Sequence, residues 1–195
     1  MLILVRHGRT ALNATGRLQG RIDEPLDELG LRQAAAAART VGGVDRVISS
    51  PLLRARQTAE EFGLPVEVDE RWIELDYGHL DGRAMSSLGS DMWDRWICDA
   101  SFAPDGGESM ADMEKRVVSA CEELRSTIAD SVVVVVSHVS PIKAALGWVL
   151  GVPTVDAGWR MHLDPASVSR VHLGPRGPVL RSFNETVHLA ALNSI

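Results

Sequence analysis

Five consecutive valines, residues 132–136, constrain the fold of this chain more than any other feature. β-Branched side chains fit a pleated surface better than a helix. An unbroken apolar run, as opposed to an alternating one, means that both faces of the strand are covered. Such a strand belongs in the middle of a sheet, with helices above and below it. The rest of the chain supplies suitable partners. Residues 1–6 read as a short buried strand, 44–49 as a second and 66–68 as a third. Residues 26–40 contain an alanine run, 34–38, which favours helix. Ser50-Pro51 offers a serine cap followed by proline at a first helical position, and Gly63 ends that helix. Ser109 and Asp112 resemble a capping box, after which Met113, Val117, Ala120, Leu124 and Ile128 mark one face of a long helix. Ser140-Pro141 opens a further helix, closed by Gly151. Residues 167–173 and 179–184 read as strands joined at Gly174-Pro175-Arg176-Gly177, a hairpin that makes at least one strand antiparallel. This alternation predicts an α/β fold: a three-layer α/β/α sandwich with a mainly parallel mixed sheet. No repeat or linker divides the 195 residues. A single domain over 1–195 is expected, with a small helical excursion at about 83–108, where Trp93 and Trp96 serve packing.

Composition excludes several classes of function. The net charge of -6 argues against a nucleic-acid partner, which needs a basic face. No apolar run approaches the roughly 20 residues that cross a bilayer, so no membrane partner is expected. Cys98 and Cys121 form no CxxC pair and sit in apolar-patterned stretches, as small core residues would. The first residues lack the pattern of a secretion signal, and a cytoplasmic location is expected.

In open α/β sheets, ligands bind beyond the carboxyl ends of the strands. Arg6-His7-Gly8 follows the first strand, Ser49-Ser50-Pro51 with Arg54 the second, and Ser137-His138 the valine strand. Three separate segments thus deliver two histidines and two arginines to one rim. Helix starts at Pro51 and Pro141 add N–H donors and a positive dipole end. Together these groups suit a doubly charged oxyanion. A histidine nitrogen can attack phosphorus, while arginines and a second histidine neutralise the equatorial oxygens. A carboxylic acid must then protonate the leaving oxygen, and Glu74, Asp76 and Asp81 are the candidates. No metal-ligand spacing such as HExxH competes with this reading.

These residues resemble the histidine phosphatase superfamily, the group that includes the cofactor-dependent phosphoglycerate mutases. Leu4-Val5-Arg6-His7-Gly8-Arg9-Thr10 with Asn13 is similar to its opening signature, and residues 49–59 are similar to its second motif. Glu74 with Gly78 and Gly82 resembles the acid motif. Gly106-Gly107-Glu108-Ser109, Val136-Ser137-His138, and Asn184, Thr186, His188 and Leu189 resemble the pre-helix, last-histidine and closing-strand motifs. The resemblance implies a phosphoglycerate mutase-like fold with His7 as the phosphorylated nucleophile and Glu74 as general acid and base. It implies that Arg6, Arg54 and His138 hold the phosphoryl group, with Asn13 assisting, and that no metal or cofactor is used. Gln19 and the backbone at Val139 are further candidate substrate contacts. The remaining histidines, His79, His162, His172 and His188, are read as structural or exposed.

The resemblance also frames the alternatives. Mutases of this kind carry a longer insertion between acid and last histidine, with basic residues that hold a substrate carboxylate. Here the interval 74–138 is short, and its adjacent cations, Lys115 and Arg116, fall on an amphipathic helix where a solvated position is expected. Hydrolysis of a small phosphate ester is therefore favoured over mutase-type transfer. A non-catalytic phosphate-binding module is the other alternative, although His7, Glu74 and His138 are all retained. Arg9, Gln19, Arg21, Trp93, Trp96 and residues 102–109 are the expected substrate walls. The closing segment is a candidate surface for a homodimer.

Overall fold

The valine run becomes the centre of the sheet. The computed structural model describes residues 1–192. In chain order its elements are β1 (Leu2–Arg6), α1 (Ala11–Ala14), α2 (Glu28–Val41), β2 (Arg46–Ser49), α3 (Leu53–Glu60), β3 (Val66–Val68), α4 (Ser90–Cys98), α5 (Met110–Leu124), α6 (Thr127–Asp130), β4 (Val133–Ser137), α7 (Val139–Leu150), α8 (Thr154–Ala157), β5 (Val168–Gly174) and β6 (Gly177–Glu185). The strands form one sheet in the order β3-β2-β4-β1-β5-β6. β4 lies between β2 and β1 and is parallel to both, and β3 extends β2 in parallel. β5 pairs antiparallel with β1 and β6 antiparallel with β5, which is the expected hairpin. Every residue of β4 is buried.

Successive strand residues face opposite sides of a sheet, and here each side has its own core. Leu2, Leu4, Ile48, Val133 and Val135 pack with Met113, Val117 and Cys121 of α5 and Ile142, Ala145 and Leu146 of α7. Ile3, Val5, Val47, Val134 and Val136 meet Ala36 and Ala37 of α2 and Ala55 and Ala59 of α3. The alanines let these two helices lie close to the sheet. Three layers result, in the expected α/β/α arrangement.

Several local readings need correction. α3 begins at Leu53 and not at Pro51, because the Ser50 hydroxyl is drawn to His138 and makes only a 3.3 Å contact with Leu52 N–H. α7 begins at Val139, with His138 at its cap position, so Pro141 sits within its first turn. The long helix stops at Leu124, and Ile128 belongs to the separate short α6. Residues 187–192 form a 3₁₀ turn and not a closing strand; Asn184, at φ 51°, bends the chain away just before. Cys121 is in the core, but Cys98 is exposed at the last position of α4. Residues 83–108 carry a 3₁₀ turn at Met85–Ser87 and the helix α4. Trp96 of α4 is buried there, edge-on to both Tyr77 and Phe102.

Candidate active site

The carboxyl ends of β1, β2 and β4 converge, and the hydrogen-bond ladder continues past them. His7 N–H donates to the Ser137 carbonyl at 3.0 Å, and Ser50 N–H to the Val136 carbonyl at 3.0 Å. Ala166 N–H donates to the His7 carbonyl at 3.0 Å. The backbone at His7 is therefore fixed on both sides. The next residue must be glycine: a Cβ on Gly8 would lie 2.4 Å from the Gly30 carbonyl oxygen at the start of α2. Gly8 N–H also donates to Thr58 Oγ1 of α3 at 3.1 Å. Gly8→Ala should cost about 1–3 kcal/mol of stability, since only backbone could give way. Its activity should fall with the displacement of His7, and urea unfolding together with phosphate release checks both.

The ring protons can be assigned from their partners. His7 Nδ1 lies 2.7 Å from the Gly8 carbonyl, which can only accept, so Nδ1 carries the proton. The Nε2 lone pair then faces the cavity, where it accepts from Arg54 Nε at 3.3 Å. The same Arg54 Nε reaches His138 Nδ1 at 3.2 Å. A guanidinium only donates, so His138 accepts through Nδ1 and donates from Nε2 to Ser50 Oγ at 2.7 Å. The two rings stand 5.0 Å apart at 57°. Burial, then Arg54, lowers both rings well below the ordinary histidine range. Both rings are thereby held in the neutral form, each with one unprotonated nitrogen.

This has a thermodynamic consequence. Unfolded histidines take up protons below about pH 6.5, whereas these two resist protonation when folded. The unfolded state then binds more protons, so stability declines as pH falls below about 6.5 and is independent of these rings above it. Melting curves from pH 8 down to about 5 should show that decline, with a shallower slope for His138→Asn; an unchanged slope would contradict it.

Arg54 is fully buried at the first turn of α3. Its Nη1 and Nη2 donate to the Ile22 and Gly20 carbonyls, each at 2.8 Å. Burial brings its pKa down to about 10, so it remains a cation. Arg6, at the end of β1, donates from Nη1 to the Leu163 carbonyl at 2.5 Å. A cavity of about 400 Å³ is lined by Arg6, His7, Asn13, Gln19, Arg54, Glu74 and Val139. His138 lies behind Arg54, bonded to it as described. Asn13 and Gln19 are tied together through Asn13 Nδ2 and Gln19 Oε1 at 3.4 Å, and Thr10 Oγ1 also donates to Gln19 Oε1. Glu74 Oε1 accepts from Leu75 N–H at 2.7 Å and from Ser140 N–H of α7 at 3.2 Å.

Among the three acid candidates, only Glu74 lines the cavity. Asp76 pairs with Arg21 at 3.3 Å, and Asp81 accepts from Arg21 N–H at 3.1 Å. Arg21 and Arg9 are not among the residues lining this cavity. Arg9 is held by Asp27 at 2.8 Å, and Arg21 by Asp76 and Glu108. The helix starts also differ from expectation: Leu53 N–H donates to Asp23, and Ser140 N–H holds Glu74. Arg116 is not solvated. It reaches the Glu74 carbonyl at 3.3 Å, the Arg71 carbonyl at 2.6 Å and Glu108 at 2.8 Å, bracing the acid segment. Gly107 and Gly78 let two backbones touch there; a Cβ would meet the Asp76 oxygen at 2.6 Å or the Asp105 oxygen at 2.2 Å. Asn184 binds Asp164 through both its amide atoms at 2.8 Å, shaping the loop whose Leu163 carbonyl receives Arg6. Tyr77 and Lys143 line the cavity without any signal in the motifs. Tyr77 meets Ser140 Oγ at 3.3 Å, and burial raises its hydroxyl pKa. Burial lowers the Lys143 ammonium. Among the described residues, no group of three or more His, Cys, Asp or Glu side chains is placed to hold a metal ion, and no helix is long and apolar enough to cross a membrane.

Comparison with known proteins gives concordant results. The sequence model of the histidine phosphatase superfamily (branch 1) matches residues 2–186. A bifunctional protein of Mycobacterium tuberculosis is 37% identical over 203 residues, covering 96% of this chain and 54% of its own length. The chain thus spans about half of that relative. Phosphoserine phosphatase 1 of Hydrogenobacter thermophilus is 35% identical over 198 residues, with 96% and 93% coverage. A phosphoserine phosphatase of Entamoeba histolytica, solved as a histidine-to-alanine mutant with phosphoserine, superposes with a TM-score of 0.89. It is 29% identical and covers 96% of this chain and 98% of its own.

Proposed function

The chain belongs to the histidine phosphatase superfamily, and from that membership we propose that it hydrolyses small phosphomonoesters through a phosphohistidine on His7. The observation that carries this reading is the lone pair of a neutral, buried His7 Nε2, held at 3.3 Å from Arg54 Nε in the cavity that Glu74 also lines. His7 Nε2 attacks phosphorus, and the bond from phosphorus to the alcohol oxygen breaks. Glu74, as the acid, gives that oxygen its proton. Glu74 carboxylate then takes a proton from water, whose oxygen displaces His7 and releases inorganic phosphate. Arg6 and Arg54 neutralise the oxygens of the transferring group, and His138 acts from behind by holding Arg54 Nε in place; Asn13, Gln19 and the backbone at Val139 complete the cradle. None of these steps needs a cofactor. The phosphoserine phosphatases among its relatives support hydrolysis, while relatives named as probable phosphoglycerate mutases, also 35% identical, keep transfer as the alternative.

Residues 1–195 are read as a single domain, and the free thiols of Cys98 and Cys121 suit a reducing, cytoplasmic compartment.

Phosphate release in the presence of EDTA tests the reaction class. The native chain should hydrolyse both aryl and alkyl phosphates. Glu74→Gln should slow alkyl esters by about 10²- to 10⁴-fold and aryl esters far less, because an aryl oxide leaves without a proton. Equal losses on both would contradict Glu74 as the acid. Interconversion of 2- and 3-phosphoglycerate faster than phosphate release would favour a mutase.

A further inference from the structure

The cavity at His7 shares a wall with a second one of about 180 Å³. Leu18, Tyr77, Met85, Val139 and Lys143 line both. Behind that wall stand Trp93, Trp96 and Trp159. Trp93 meets Trp159 edge-on at 5.6 Å, and Tyr77 meets Trp96 edge-on at 5.3 Å. Edge-to-face contacts of this kind fix ring orientation, so the chamber is formed before any ligand arrives. An apolar cavity of about 150 Å³ accepts benzene, and this one therefore has room for a single ring. Among the described residues that line it, Lys143 alone is charged, and it stands on the shared wall. An ammonium carried past that wall would lose its hydration beside Lys143, a like charge, and a carboxylate would lose its hydration with that single cation at the wall to offset the cost.

We propose that the chamber holds the alcohol part of the substrate, and that this part is a neutral, ring-bearing apolar group and not an amino acid or a glycerate. The assignment rests on the phosphatase reading and names the substrate class of the same site. Phosphate enters the basic cradle at His7, and the ring lies against Trp93 and Trp159.

Benzyl phosphate, ethyl phosphate and O-phosphoserine test this, because each releases a primary alcohol and the chemical step is matched. kcat/KM for benzyl phosphate should exceed that for each of the others by about tenfold or more, the effect of burying one ring. Trp93→Ala and Trp159→Ala should each lower the ratio of benzyl to ethyl phosphate by about tenfold. Trp159 is 39% exposed, so its truncation is tolerated even if Trp93→Ala fails to fold. Preference for phosphoserine, or an unchanged ratio in the Trp159 variant, overturns the chamber assignment and leaves the phosphatase reading intact. No release from any of the three esters overturns the phosphatase reading and the substrate class with it.

Discussion

His7→Ala abolishes phosphate release, with an expected loss of at least about 10⁴-fold in kcat, because the nitrogen that forms the covalent intermediate is gone. The substitution should leave the fold in place. The backbone of residue 7 is held by Ser137 and Ala166 irrespective of its side chain. Its neighbour Gly8 also keeps its close approach to Gly30. Removing a neutral ring also frees Arg54 Nε to rest on His138 alone. The variant should therefore still bind inorganic phosphate, and a circular dichroism spectrum matching the native one is the control. Residual activity within tenfold of native would mean that another residue is the nucleophile.

Arg54→Met is expected to have the next largest effect, about 10³-fold in kcat. The guanidinium touches both histidines and is anchored by the Gly20 and Ile22 carbonyls. Its loss removes charge from the site where the transferring phosphoryl group must be neutralised. It also removes one of the causes that hold His7 below the ordinary histidine range, the other charge being Arg6. The acid limb of the pH profile, set by protonation of His7, should thus move upward toward about pH 6.5. Stability changes less than activity, since two opposing effects meet: carbonyls lose their donors, but an unfavourably buried charge is gone. A profile with the native acid limb would show that Arg54 does not tune His7.

Much of this arrangement was legible in the sequence because it depends on local chemistry. The valine run could only be a covered central strand, and the residues after each apolar strand had to share one rim. What the sequence hid lies in contacts between distant segments. Ser50-Pro51 has the composition of a helix start, yet the Ser50 hydroxyl serves a histidine 88 residues away. Arg116 has the helical position of a solvated cation, yet it braces the Glu74 backbone across 42 residues. Asp76 and Asp81 are as acidic as Glu74 in sequence, and only the fold turns them toward Arg21. Arg9 likewise pairs with Asp27 instead of lining the His7 cavity. The role of Asn184 was visible only as part of a motif; its physical basis is a left-handed bend and a paired grip on Asp164. Tyr77 and Lys143 carried no motif at all, since their place beside the cavity follows from how α7 packs against the acid segment.

The central claim is that phosphate passes through a bond to His7. The most direct measurement is rapid acid-free quenching of the enzyme during turnover of a ³²P-labelled ester with EDTA present, followed by mapping of the label. The account predicts an acid-labile, base-stable label on the peptide containing His7, absent in His7→Ala and longer-lived in Glu74→Gln. Steady hydrolysis with no label on that peptide, or a label that persists in His7→Ala, would contradict it.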